Sequence, residues 1–203
     1  DDCVVKALKY AIFYHEGQKR RVSGVPFVTH PINVSNILFS ENADSNLIAS
    51  GLLHDLIEDT TCSLEDLREE FCDDVVNLVL FATDRNDVGC GISLREQRAN
   101  SSFRRKLEKV DKTFGASNRE VLLEFADKLS NLESIYLEYH KFKDELWDNF
   151  NSSREEILLY YLEMLKIFRL RIPKAKNLWL YEFYVNSLLS CDIEVEEAVW
   201  NKR

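Results

Sequence analysis

The stretch Leu47-Ile48-Ala49-Ser50-Gly51-Leu52-Leu53-His54-Asp55-Leu56-Ile57-Glu58-Asp59 decides how this chain is read, because an apolar helical pattern there suddenly carries four ionisable residues within six positions. Asp44 or Ser45 stands where an N-cap belongs, so the pattern predicts a third helix running through Ile57. Burying charge at this density is costly unless the groups are paired or hold a cation. His54 and Glu58 lie one turn apart, as do Asp55 and Asp59, which places two acid-bearing pairs on adjacent ridges. Gly51 permits close packing one turn before His54. Imidazole and carboxylate together suit a divalent ion such as Mn, Fe or Zn. The other reading is an exposed helix end closed by Thr60 and Thr61, and the stretch alone leaves both open.

Outward from this stretch the chain reads as helices. Gly occurs 6 times and Pro 3 times in 203 residues, far below the roughly 12% usual for the two together. Too few turn residues remain for a sandwich or barrel of short strands. Helical apolar spacing covers Val4 to Tyr14, and the polar segment Glu16 to Thr29, with Gly17, Gly24 and Pro26, is a long loop. His30-Pro31 opens the next helix, since a proline near a helix start sacrifices no hydrogen bond. Ser63 with Asp66 three residues on is an N-cap signature. Val75 to Thr83 is read as a buried helix although its β-branched residues also suit a strand. A second loop, Arg85 to Ser93, precedes a charged helix near Leu94 to Lys112, followed by helices over Asn118 to Tyr139 and Ser153 to Arg171. The expected fold class is all-α, with about ten helices.

Lys and Arg total 26 against 35 Asp and Glu, a formal charge of −9, so the molecule as a whole repels nucleic acid and anionic membrane. An anionic ligand must therefore be drawn by a local basic patch. No run of about 18 apolar residues is present to cross a membrane. The 5 cysteines are odd in number and widely spaced, without a CxxC pair, which argues against a disulfide framework or zinc cluster and for a reducing cytoplasm.

Adjacent His and Asp cannot complete a metal shell, so further ligands must come from elsewhere. His30, at a helix start, is one candidate, with a surface histidine as the equal alternative. Asp127 is another; it shares the less apolar side of its helix with Asn131, Ser134 and Glu138, and periodicity by itself favours a solvated face there.

Taken together, His30 in THPINVSNIL, then GLLHDLIEDT, then FADKLSNL resemble the HD-type hydrolase domain of the RelA/SpoT homologue family, most of all its small stand-alone alarmone hydrolases. The resemblance covers roughly residues 3–170. It implies an all-α HD fold and one Mn²⁺ held by His30, His54, Asp55 and Asp127, overruling the solvated-face reading of Asp127. Glu58 and Asp59 match the family's catalytic acidic pair, and the implied reaction is hydrolysis of the 3′-pyrophosphate of (p)ppGpp to GDP or GTP and pyrophosphate. Lys19 and Arg20 match a basic pair that lies against the substrate, with Arg21 beside them. Asp84, in Thr83-Asp84, and Asn131 match further substrate-side positions. Arg95, Arg98, Arg104 and Arg105 add positive charge on or beside the charged helix. In the family's two-activity enzymes synthesis needs a separate domain, for which these 203 residues leave no room.

Two departures bear on substrate choice: Glu133 stands where the family commonly has Arg, which removes a cation close to the site, and Arg85-Asn86 follow Asp84 instead of another acid. Two alternatives therefore accompany the leading one. The same site acting on NADPH or (p)ppApp is one, and a hydrolase-like antitoxin neutralising an alarmone synthetase is the other. The domain division expected is 1–172 for the metal-dependent phosphohydrolase and 173–203 for an aromatic-rich helical extension serving as a lid, a flank of the core or a homodimer face. A hyperphosphorylated guanosine nucleotide is the implied partner, with neither nucleic acid nor membrane.

Overall fold

Side-chain caps start four of the helices. The computed structural model describes the backbone of residues 2–83 and 94–200 and the side chains of 2–83 and 104–190. Among the described residues there are ten α-helices, one 3₁₀ segment and no strand, only an isolated bridge between Lys19 and Pro26. α1 (Asp2–Tyr14), α2 (Thr29–Ser40), α3 (Ser45–Leu53), α4 (Leu56–Asp59), α5 (Leu64–Glu70) and α6 (Asp73–Ala82) form the N-terminal half. α7 (Leu94–Gly115), α8 (Asn118–Phe142), the 3₁₀ segment Lys143–Asn149, α9 (Arg154–Arg171) and α10 (Leu178–Trp200) complete it. Asp44 caps α3 by accepting from the backbone N–H of Asn46 and Leu47, while Ser63, Ser117 and Ser153 form reciprocal capping boxes with Asp66, Glu120 and Glu156. Val75 to Ala82 is helical, its β-branched residues buried against neighbouring helices.

The expected helix through Ile57 is corrected. α3 ends at Leu53, His54 and Asp55 form a turn, and α4 restarts at Leu56. The cause is local: His54 Nδ1 donates to the Gly51 carbonyl at 2.9 Å, taking up an acceptor of the last turn of α3, so the backbone ladder is interrupted by a side chain. The Asp59 N–H still bonds the Asp55 carbonyl at 2.8 Å, which carries Glu58 and Asp59 round on the restarted turn.

α8 is the axis of the molecule. One side of it, with Leu123 and Ala126, packs against Val34, Leu38, Leu47 and Leu78 of α2, α3 and α6. Its other side, with Val121, Phe125, Leu129, Leu132 and Ile135, packs against α9 and α10. A third cluster joins α1, α3, α4, α5 and α6 through Ala7, Ala11, Leu53, Leu56, Leu67 and Val75. The short link between α9 and α10 contains the 172/173 boundary, and beyond it Tyr181 is fully buried against Phe125 and Phe168. At Gly51 the close approach of α3 to α2 leaves no room for a side chain: a Cβ would lie 2.6 Å from Leu38 Cδ1 and 3.3 Å from Val34 Cγ1. No described helix is long and apolar enough to cross a membrane.

Candidate active site

Four side chains from three elements meet where α8 crosses the α3–α4 break. His30 comes from the first turn of α2, His54 and Asp55 from the break, and Asp127 from the middle of α8; both histidines and Asp127 are buried. His54 Nδ1 faces a carbonyl, which can only accept, so Nδ1 carries a proton and Nε2 is the ring atom turned towards the carboxylates. That Nε2 is buried without a hydrogen-bond partner, 3.1 Å from Asp55 Oδ1 and 3.6 Å from Asp127 Oδ1. His30 Nδ1 bonds Ser130 Oγ at 3.0 Å, and its Nε2 lies 3.1 Å from Asp127 Oδ1 and 3.6 Å from Asp55 Oδ2. One ligand atom each from His30, His54 and Asp127 fall within 4.8 Å of one another. Two imidazole nitrogens with rings held from behind, and two carboxylates in front, are a donor set that suits a divalent cation. A buried ring nitrogen without a hydrogen-bond partner, set among carboxylate oxygens, is the observation that fits the residues to a metal.

The electrostatics agree. Burial alone would raise Asp55, but the neighbouring imidazoles outweigh it and hold the carboxyl down at about 2. Burial acts the same way on Asp127, and the adjacent Lys128 ammonium and both imidazoles drive it well below its ordinary value. Burial lowers His30, whereas at His54 the surrounding carboxylates overcome burial and raise it. The cluster therefore favours positive charge at its centre.

Two adjoining cavities open from this point. The smaller, about 240 Å³, is lined by the four convergent residues with Glu58, Asp59, Lys109, Lys128 and Asn131. Asp59 is raised by partial burial and by Asp55, because a second negative charge beside the first is disfavoured. The larger, about 580 Å³, lies within the size range of small-ligand sites. Its described lining carries seven cations, among them Lys19, Arg20, Arg21, Lys109 and Lys128, against two acids. This is the local basic patch that the −9 chain requires.

The loop between α1 and α2 brings the basic residues in. Gly24 takes φ +70° at its tip, Arg20 and Val25 bond across it at 2.8 Å, and Gln18 Nε2 ties its base to the Asp59 carbonyl at 2.7 Å. Arg20 donates to Asn131 Oδ1 at 2.9 Å, and Asn131 Nδ2 donates to Asp127 Oδ1 at 2.7 Å, so loop and cluster are joined through one amide. Arg105 lines the larger cavity, whereas Arg104 is exposed and pairs with Glu108. Asp84, Arg85 and Asn86 lie outside the described residues, as do the side chains of Arg95 and Arg98. Glu133 lines neither cavity; it accepts from Asn33 at 2.8 Å and from the Tyr184 hydroxyl at 3.4 Å.

Sequence reasoning missed Lys109, Lys128, Tyr160 and Tyr161. Lys109 and Lys128 flank the buried Glu124 at 3.4 and 3.1 Å, and Lys128 also reaches Asp127 Oδ2 at 2.6 Å. Adjacency to Asp127 was the available signal for Lys128; the other three sit on helices whose pattern reads as ordinary surface or core.

An all-helical frame that brings histidines and aspartates from separate helices to one buried point defines a metal-dependent HD-type domain. The chain belongs to the HD-domain family, which matches residues 7–151, and within it to the RelA/SpoT type. It is 37% identical over 134 residues to the guanosine-3′,5′-bis(diphosphate) 3′-pyrophosphohydrolase MESH1 of Drosophila melanogaster, covering 64% of this chain and 68% of that protein. It is 33% identical over 135 residues to a GTP pyrophosphokinase of Myxococcus xanthus, covering 66% of this chain but only 17% of that relative's length. For a GTP pyrophosphokinase of Streptomyces coelicolor the share spanned is 15%. Among solved structures, a metazoan SpoT orthologue described as hydrolysing ppGpp superposes with a TM-score of 0.70 at 26% identity, covering 95% of this chain and 96% of that one. A Listeria monocytogenes protein superposes with a TM-score of 0.65 at 26% identity, covering 83% and 99%.

Proposed function

We propose that the chain hydrolyses the 3′-pyrophosphate of (p)ppGpp, releasing pyrophosphate and GDP or GTP, with Mn²⁺ held by His30, His54, Asp55 and Asp127. The observation that carries this reading is the single cleft in which a buried His/Asp cluster, an acidic pair and a basic cavity adjoin. The Drosophila and metazoan relatives, named for that reaction, support it.

A bound divalent cation supplies charge neutralisation at the phosphate and a lowered pKa for water. Lys19 and Arg20 draw in and orient the phosphates, and Asn131 holds Arg20 in register with the cluster. Glu58 and Asp59 border the metal-side cavity, and burial together with the Asp55 charge raises the Asp59 carboxyl, which makes it the better proton acceptor for an attacking water. Water oxygen bonds to the phosphorus next to the ribose 3′-oxygen and that P–O bond breaks. One water proton passes to the acidic pair and is returned to the departing 3′-oxygen, which leaves as a hydroxyl, while the water oxygen stays on the pyrophosphate. Asp84 is proposed as a further substrate-side residue on the family match alone.

The test is chromatography of products from ppGpp, pppGpp, ppApp and NADPH incubated with Mn²⁺. GDP and pyrophosphate from ppGpp are expected, and Asp55→Ala should abolish them while leaving the helical circular dichroism unchanged. Preferential turnover of NADPH, or turnover that survives Asp55→Ala, would sink the reading.

A further inference from the structure

α8 works as a ruler along the cleft. Asp127, Asn131, Ser134 and Glu138 fall on successive turns of one face, and while Asp127 lines the metal-side cavity, Asn131 borders both and Ser134 and Glu138 line only the larger one. Eleven residues separate the ends, about 16 Å at helical rise. Glu138 is thus remote from the cluster, across the span of a nucleoside with a diphosphate arm.

Its chemistry is out of place for a polyanion site. Among the described residues lining the larger cavity, the two acids are Glu58, which also borders the metal-side cavity, and Glu138, which does not. Burial raises the Glu138 carboxyl, and Arg20 and Ser23 of the facing loop only partly oppose the rise. A half-buried carboxylate accepts hydrogen bonds and repels phosphate, so it suits a ligand part that offers donors. Phe150, Tyr160 and Tyr161 line the same cavity and supply aromatic wall for a flat ring. Guanine presents adjacent N1–H and N2–H donors that match two carboxylate oxygens. Adenine presents one donor and an N1 lone pair that faces the carboxylate unfavourably.

We propose that Glu138 is a specificity-determining residue that reads the Watson–Crick edge of guanine at the end of the cleft away from the metal cluster. The proposal rests on the nucleotide reading above and adds the base to it. No acid at this position was singled out as functional by the sequence, where Glu138 belongs to what reads as a solvated face.

The experiment compares wild type, Glu138→Gln and Glu138→Ala on ppGpp, ppApp and the inosine analogue that lacks the 2-amino group. The ratio of kcat/KM for ppGpp over ppApp is expected to fall about tenfold or more in both variants, carried mainly by KM, as for loss of a two-point base contact. Wild type should discriminate guanosine from inosine, and Glu138→Ala should not. Calorimetric binding of GDP against ADP reads the same preference without turnover, expected in wild type and lost in Glu138→Ala. A ppGpp to ppApp ratio within about twofold of wild type in both variants, or equal GDP and ADP affinities in wild type, overturns the proposal. Absence of hydrolysis with GDP preference intact would instead strike the reaction assigned above.

Discussion

Ser130 shows how much of the site is decided by a residue that is no ligand. Its hydroxyl meets His30 Nδ1 at 3.0 Å and accepts from Asn33 Nδ2 at 3.1 Å, which fixes the ring so that Nε2 faces the carboxylates. Metal-binding histidines depend on such partners, and losing one commonly costs about 10–100-fold in metal affinity. Ser130→Ala is expected to weaken Mn²⁺ binding by that order in a calorimetric titration, with helicity retained. An unchanged Kd would mean that packing alone orients His30. The histidine–aspartate pair at 54 and 55 was legible as chemistry because four charged or ionisable groups interrupt an apolar run. Ser130 and Lys128 were not, since neither residue type nor spacing distinguishes a hydroxyl behind an imidazole from one facing water.

At the scale of elements, the helices were legible from apolar spacing and caps, while the break between α3 and α4 was not. It depends on the His54 side chain claiming the Gly51 carbonyl, a contact invisible to periodicity. α8 misled for a different reason. Layers pack on both its sides, so its polar residues do not mark a solvent face; Asp127 and Ser130 are buried with the leucines. The start of α8 is tied across the fold by Arg119, which bonds Asp74 of α6 through both terminal nitrogens at 2.7 and 2.9 Å and reaches Asp44, the cap of α3, at 3.0 Å. Hydrogen bonds from Arg119 and Asn46 hold the Asp74 carboxyl below its ordinary 3.8. A depressed carboxylate stabilises the fold above its unfolded pKa, and the contribution disappears as pH falls through 3.8 to the lower folded value. Asp74→Asn should therefore cost about 0.5–1 kcal/mol at pH 7, discounted for the pair's exposure. Denaturant melts of the two proteins should converge below that window; a gap that persists at low pH would show that charge is not the cause.

Across the whole molecule, the C-terminal helix is continuous with the core. Tyr181 has no exposed surface, stacks at 5.9 Å on Phe125 of α8 and meets Phe168 of α9 edge-on at 5.3 Å. Phe125 lies two residues before Asp127 on the same helix, so α10 supports from behind the segment that carries a cluster residue. Tyr181→Ala removes a large buried ring and is expected to cost about 3–5 kcal/mol, read as a lower denaturation midpoint. A variant with wild-type stability would show α10 to be dispensable to the core. Charge is likewise divided by the fold: a chain of −9 gathers seven cations round one cavity, from a loop, α7 and α8.

The amino-acid sequence by itself determined the helical class, through scarce Gly and Pro and regular apolar spacing, and it determined the ligand types, because His and Asp in an apolar helix demand a partner. Tertiary structure alone decided which residues share the cleft. His30, His54 and Asp127 are far apart in the chain and reach one point only because α2, the α3–α4 break and α8 cross there. The same crossing turned one polar stripe of α8 from an apparent solvent face into the wall running from Asp127 to Glu138. Periodicity reports that a face is polar; only the elements packed around it settle whether it meets bulk water or a cavity.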